Sequence, residues 1–206
     1  MCFEIFGCKV KITLTFALML CFILFIDTTG AMLFGLISVA IHETGHLVFM
    51  LLAKKYPNTI CFQIGGILIN CRGLSSYTYD LAIAMGGCLF NLLVFFITAV
   101  IYNKTANPYL LLFSATNLGL LLFNLIPVSG LDGMDILKLI LLKKYSLTKT
   151  KSLCKIISFI FLITSLLVCA YAVLNFELNP TVIVALFYLL ILTLIGIKGD
   201  NLDKNI

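Results

Sequence analysis

The 206-residue sequence contains two histidines, and they stand four positions apart in His42-Glu43-Thr44-Gly45-His46. Side chains four apart on a helix share one face, a turn from each other. His42 and His46 can therefore offer two imidazoles to one metal ion while Glu43, beside the first, faces the ion's open side. This HExxH spacing is the one that zinc hydrolases use, with the glutamate as general base. The motif lies in an apolar stretch, where three ionisable groups within one turn would each lose hydration. Such residues inside a membrane helix mark function by default, and a bound cation supplies the charge that makes the cluster tolerable. A polar patch hydrogen-bonding between helices is the plainer alternative, and it leaves the glutamate between the histidines unexplained.

The elements that must carry this motif follow from composition. Apolar residues make up 62% of the chain and charged residues 11%, with a mean hydropathy of +1.14. Soluble chains carry about 25% charged residues, so this chain is read as an integral membrane protein. A spanning helix needs about 20 mostly apolar residues, which predicts an all-α polytopic fold of six spans, near 10–26, 31–53, 80–102, 108–127, 154–175 and 180–197, forming a single domain over 1–206. Thr59 to Asn70, β-branched around Gly65 and Gly66, is too short to span and reads as a small re-entrant hairpin. Gly130 to Lys144 reads as an amphipathic helix after a Pro-Ser-Gly break. The eight cysteines are scattered, with no CxxC pair, and read as small hydrophobes. With a single arginine, Arg72, the net charge of +5 lacks the guanidinium forks that read phosphates or bases, so no nucleic-acid partner is expected.

Basic residues alternate from loop to loop. Lys9 and Lys11, then Lys54, Lys55 and Arg72, then Lys138, Lys143, Lys144, Lys149 and Lys151 fall on one side; Asp27, Lys104 and Glu177 fall on the other. Because lysine and arginine accumulate in cytoplasmic loops, both termini are expected in the cytoplasm, with the second and fourth spans running inward. His42 precedes Lys54 by twelve residues, about 18 Å of helix at 1.5 Å per residue, which sets it below the cytoplasmic headgroups. Catalytic zinc takes three protein ligands and leaves a fourth position for water. The inward face leaves Asp80, Asp132 and Asp135 as carboxylate candidates and Cys88 as a thiolate one. Asp132 is favoured, since the break at Pro127 to Gly130 before it and Gly133 after it set its backbone.

The stretch Asn124-Leu125-Ile126-Pro127-Val128-Ser129-Gly130-Leu131-Asp132-Gly133 resembles the N-x-x-P-x-x-x-L-D-G element of the site-2 protease family of intramembrane zinc metalloproteases, whose other signature is the HExxH helix. Phe62 to Gly66 is similar to the family's F-x-x-G-G strand region, and Gly87-Cys88-Leu89-Phe90-Asn91 to its G-P-L-x-N. The layout most resembles the sporulation-type branch, which cleaves a membrane-tethered sigma-factor precursor. Cys88 stands where that family usually has proline, and Met134 where a second glycine is common. No PDZ insertion and no regulatory nucleotide-binding domain of the cystathionine-synthase type is expected in the chain.

The resemblance implies a single Zn²⁺ held by His42, His46 and Asp132, with Glu43 as general base. A tetrahedral oxyanion needs a further donor, for which Asn124 and Asn91 are the candidates, with capping of the free carbonyls before Pro127 the alternative for Asn124. The expected location is the bacterial cytoplasmic membrane, and the expected partners are the lipid bilayer, a membrane-tethered protein substrate and a membrane-bound regulator. The rival class is a metal-ion transporter. It needs no glutamate directly after the first histidine, nor an inward-facing Leu-Asp-Gly element, and spans one, five and six offer no further acidic residues for an ion path.

Overall fold

In the computed structural model, residues 2–5, 8–14, 17, 18, 21, 25, 27, 30–63, 66–72 and 76–175 are described. They form β1 (Cys2–Ile5), β2 (Cys8–Ile12), α1 (Ala31–Leu52), β3 (Tyr56–Gln63), β4 (Gly66–Arg72), α2 (Tyr77–Thr105), α3 (Pro108–Asn124), α4 (Asp132–Leu142) and α5 (Leu147–Asn175). The chain divides into two compact units, Met1–Phe123 and Asn124–Ile206.

Three described helices are long and apolar enough to cross a membrane: Ala31–Leu52, Tyr77–Thr105 and the stretch Leu147–Leu167 of α5. Leu93, Phe96, Ile97 and Val100 of α2, and Phe159 and Ile160 of α5, are exposed. A soluble protein rarely presents so continuous an apolar surface, and in a bilayer it is the lipid-facing side. Hydroxyls of these helices bond back into their own helix, as Thr44 does to the Ala40 carbonyl and buried Thr98 to that of Val94, both at 2.7 Å. Each of these two donors is thereby met within its own helix, as hydrocarbon requires.

In the first unit, α1, α2 and α3 are tied by a few specific contacts. Phe34 of α1 packs against Tyr109 and Phe113 of α3, with centroids 6.4 and 5.6 Å apart. Ser114 of α3 donates to the Phe95 carbonyl of α2 at 3.2 Å. Between α1 and α2 the approach is closest at Gly45 and Gly86. A Cβ on Gly45 would collide with the Gly86 carbonyl, and one on Gly86 would lie 2.8 Å from the Gly45 carbonyl oxygen. Small residues let membrane helices approach backbone to backbone. Just past the end of α1, Lys55 forms an ion pair with Asp80 in the first turn of α2.

The membrane prediction of six spans meets the structure unevenly. The first predicted span, 10–26, begins inside β2, which contradicts its start. Val10 and Lys11 pair instead with Phe3 and Cys2 on one side, and Val10 to Ile12 with Ile60 to Phe62 on the other. Alternation of Lys9, Val10, Lys11 and Ile12 is a strand pattern of period two, and a mean hydropathy over the whole segment hides it. The hairpin predicted for Thr59 to Asn70 is present as antiparallel β3 and β4, with Thr59 opposite Asn70 and Phe62 opposite Ile67. It belongs to a four-stranded sheet of order β1-β2-β3-β4, so the fold is helical with a small sheet and not all-α. Parallel pairing of β2 with β3 joins segments about fifty residues apart, a non-local contact that requires a long crossover.

The fourth predicted span stops early, since α3 ends at Asn124. Pro127 has no amide hydrogen to donate, and it disfavours helical geometry in the residue before it. In the second unit, α4 fits the amphipathic helix expected after the break, and α5 starts at Leu147, earlier than predicted, through the lysine-rich turn before its apolar stretch. The sixth predicted span, 180–197, lies outside the described residues.

Candidate metal centre

His42 and His46 occupy the middle of α1, on the face that meets α2. His42 is buried and His46 half-buried. Their Nε2 atoms are 3.2 Å apart, with the rings nearly perpendicular at 80°. The other nitrogen of His46, Nδ1, lies 2.8 Å from the Ile83 carbonyl of α2. A carbonyl only accepts, so this contact requires the proton on Nδ1 and leaves the Nε2 lone pair available. Backbone support of this kind is what orients ligand histidines in metal sites.

The donors fit a tetrahedral divalent ion. Two nitrogens each 2.0–2.1 Å from one tetrahedral Zn²⁺ must stand about 3.3 Å apart, close to the spacing seen here. Gly87 provides the second test. A Cβ built there would lie 2.5 Å from His46 Nε2 and 2.6 Å from His42 Nε2. Any side chain at this position would cover both lone pairs, so the glycine leaves open the space that a shared ligand needs. Glu43 follows His42 directly on α1 and is half-buried.

Asn91 lies one turn beyond Gly87 on α2 and is completely buried. Neither its amide nitrogen nor its amide oxygen has a hydrogen-bond partner among the described residues. Leaving such a group unmet costs about 1–3 kcal/mol, which marks Asn91 as a group held in reserve. Asn124 is the last residue of α3, half-buried. In the second unit, half-buried Asp132 is the first residue of α4, and Asp135, one turn on, is exposed. Asp80, a candidate ligand from sequence, has its carboxylate on Lys55. Cys88 is buried beside Gly87, and it is not in a disulfide, nor are Cys21, Cys61 and Cys154.

Sequence reading alone gave no role to Gly45, Gly86 or the Ile83 carbonyl. A pair of glycines at 86 and 87 in a membrane helix was the available signal for close helix approach. The Ile83 carbonyl carries no sequence signal, because every residue has one.

No family model matches this chain. It is 31% identical over 164 residues to a zinc metalloprotease of Methanocaldococcus jannaschii, a match that takes in 72% of this chain and 47% of the relative. The chain thus spans about half the length of the curated relative it matches. Among solved structures it is similar to the site-2 protease from Methanocaldococcus jannaschii, at 24% identity and a TM-score of 0.67, covering 94% of this chain and 93% of that one. The chain therefore has the fold of a site-2 protease, with its HExxH histidines converging between the first two long helices.

Proposed function

We propose that this chain is a zinc-dependent intramembrane endopeptidase of the site-2 protease family, cleaving a membrane-tethered protein within or near its transmembrane segment. The observation that carries this reading is the pair of imidazole nitrogens 3.2 Å apart facing the cleared surface of Gly87. Similarity to a zinc metalloprotease and a site-2 protease fold support the choice of zinc and of peptide hydrolysis.

In this reading His42, His46 and Asp132 would hold one zinc ion. When bound, zinc would supply Lewis acidity that makes a water molecule acidic enough to lose a proton near neutral pH. Glu43 accepts the proton of the attacking water and returns it to the departing amine nitrogen. Asn91 donates its side-chain N–H to the developing oxyanion, a role that accounts for a buried amide without a partner among the described residues. Asn124 is the second candidate for that role. A substrate helix must unwind to present its amide, and its freed backbone groups need partners away from lipid.

Loop charges favour both termini and the site on the cytoplasmic side of a bacterial cytoplasmic membrane. A sporulation-type role on a sigma-factor precursor, with a membrane-bound regulator, is the finer form of the proposal, and it rests on motif layout alone. The test is co-expression with tagged single-span substrates. Glu43→Gln is expected to retain about one zinc per chain and to lose cleavage by at least 100-fold. Retained cleavage overturns the protease reading. A Glu43→Gln variant that still moves zinc across vesicles, with no cleavage by the wild type, points to a transporter instead.

A further inference from the structure

The break between α3 and α4 must hold Asp132 without helical hydrogen bonds. Part of its backbone is satisfied locally: Val128 N–H donates to the Ile126 carbonyl at 2.8 Å and Leu131 N–H to that of Val128 at 3.1 Å. Gly130 takes φ 96°, the left-handed region that glycine tolerates. Two groups at the centre of the break turn instead to α5. Ser129 N–H donates to Ser158 Oγ at 3.3 Å, and Ser158 Oγ–H donates to the Pro127 carbonyl at 3.5 Å; Ser129 Oγ lies 3.4 Å from the same hydroxyl.

A serine hydroxyl has one donor and two acceptor positions, so this one side chain can serve both backbone groups flanking Val128. Val128 itself is fully buried, and Ser158 is 1% exposed. Thr150, Cys154, Ser158 and Leu162 recur every fourth residue and are all buried, which makes them one inward stripe of α5. Ser158 is the member of that stripe whose hydroxyl bonds to the break within the second unit.

We propose that Ser158 is a positioning residue for the metal site: it closes the Pro127–Ser129 turn and thereby sets where Asp132 begins α4. This rests on the reading of Asp132 as the third ligand. A hydroxyl at 158 would then tune metal affinity from a residue that touches no ligand, as outer-shell partners do at a cost of about 10–100-fold when removed.

The test is zinc affinity of the purified full chain, measured by competition with a chromophoric chelator. Ser158→Ala is expected to bind zinc at least about 10-fold more weakly. Ser158→Thr, which restores the hydroxyl, is expected to return within about 3-fold of wild type, because the added methyl is the only change in packing. Thr150→Val, equally buried on the same stripe and away from the break, is expected to leave affinity unchanged. Wild-type affinity in Ser158→Ala beside a weakened Asp132→Asn overturns the role of Ser158 alone. Equal weakening by Thr150→Val, or no recovery in Ser158→Thr, overturns it as general packing. Unchanged affinity in Asp132→Asn overturns the ligand reading and the positioning role with it.

Discussion

In the proposed site the histidine pair and the Asp132 segment would solve the same problem, presenting a donor atom inside an apolar protein, by opposite means. His42 and His46 ride on an uninterrupted helix, so their separation is fixed by 1.5 Å of rise per residue and by hydrogen bonds already satisfied within α1. Asp132 follows a proline-broken segment whose backbone is satisfied partly by a short local turn and partly by a serine about thirty residues later. Regular helix makes the first placement robust and local. A break makes the second adjustable and dependent on remote packing.

Substitutions at the two supporting glycines bear on this contrast most strongly. Gly87→Ala is expected to abolish zinc binding, more than about 100-fold and beyond the outer-shell range, while α2 remains helical, since alanine is the better helix former by about 1 kcal/mol. Zinc titration with circular dichroism measures both, and near-normal zinc binding would show that the space before the imidazoles is not where the ion sits. Gly133→Ala should act more moderately. Its Cβ would strike the Leu125 carbonyl and lie 2.8 Å from that of Ile126, so the break must shift, at about 1–3 kcal/mol of stability. A thermal melt that does not fall would mean the break gives way freely, and the adjustable region would be looser than described.

Asp80→Asn is expected to have the smallest effect on the metal. It removes the partner of Lys55 at a part-buried site, costing roughly 1 kcal/mol, the upper end of the range for exposed pairs, with zinc affinity within about 2-fold of wild type. Loss of zinc here would return Asp80 to the ligand set and break the division between helix-held and break-held donors.

Much of the candidate site was legible because its residues are rare types at fixed local spacing. Two histidines four apart on an apolar helix announce a shared ligand, and Pro127 and Gly130 announce the end of α3. What escaped the sequence was of two kinds. Hydropathy averaged over residues 10–26 concealed the lysine alternation of β2, and its parallel partner β3 lies too far along the chain for periodicity to reveal. Supports such as the Ile83 carbonyl and Ser158 are ordinary groups, distinguished only by what they meet.

By itself the sequence determined the solvent, the motif and the chemistry open to it: an apolar majority demands a bilayer, and helical spacing alone puts both imidazoles on one face. Only the tertiary structure decided that Gly45 and Gly86 bring two backbones together, that Gly87 leaves the nitrogens uncovered, and that Asp80 is occupied by Lys55. Local spacing follows from the geometry of one helix, which every sequence obeys. Contact between helices depends on which small or polar groups coincide in space, and that coincidence exists only in the folded chain.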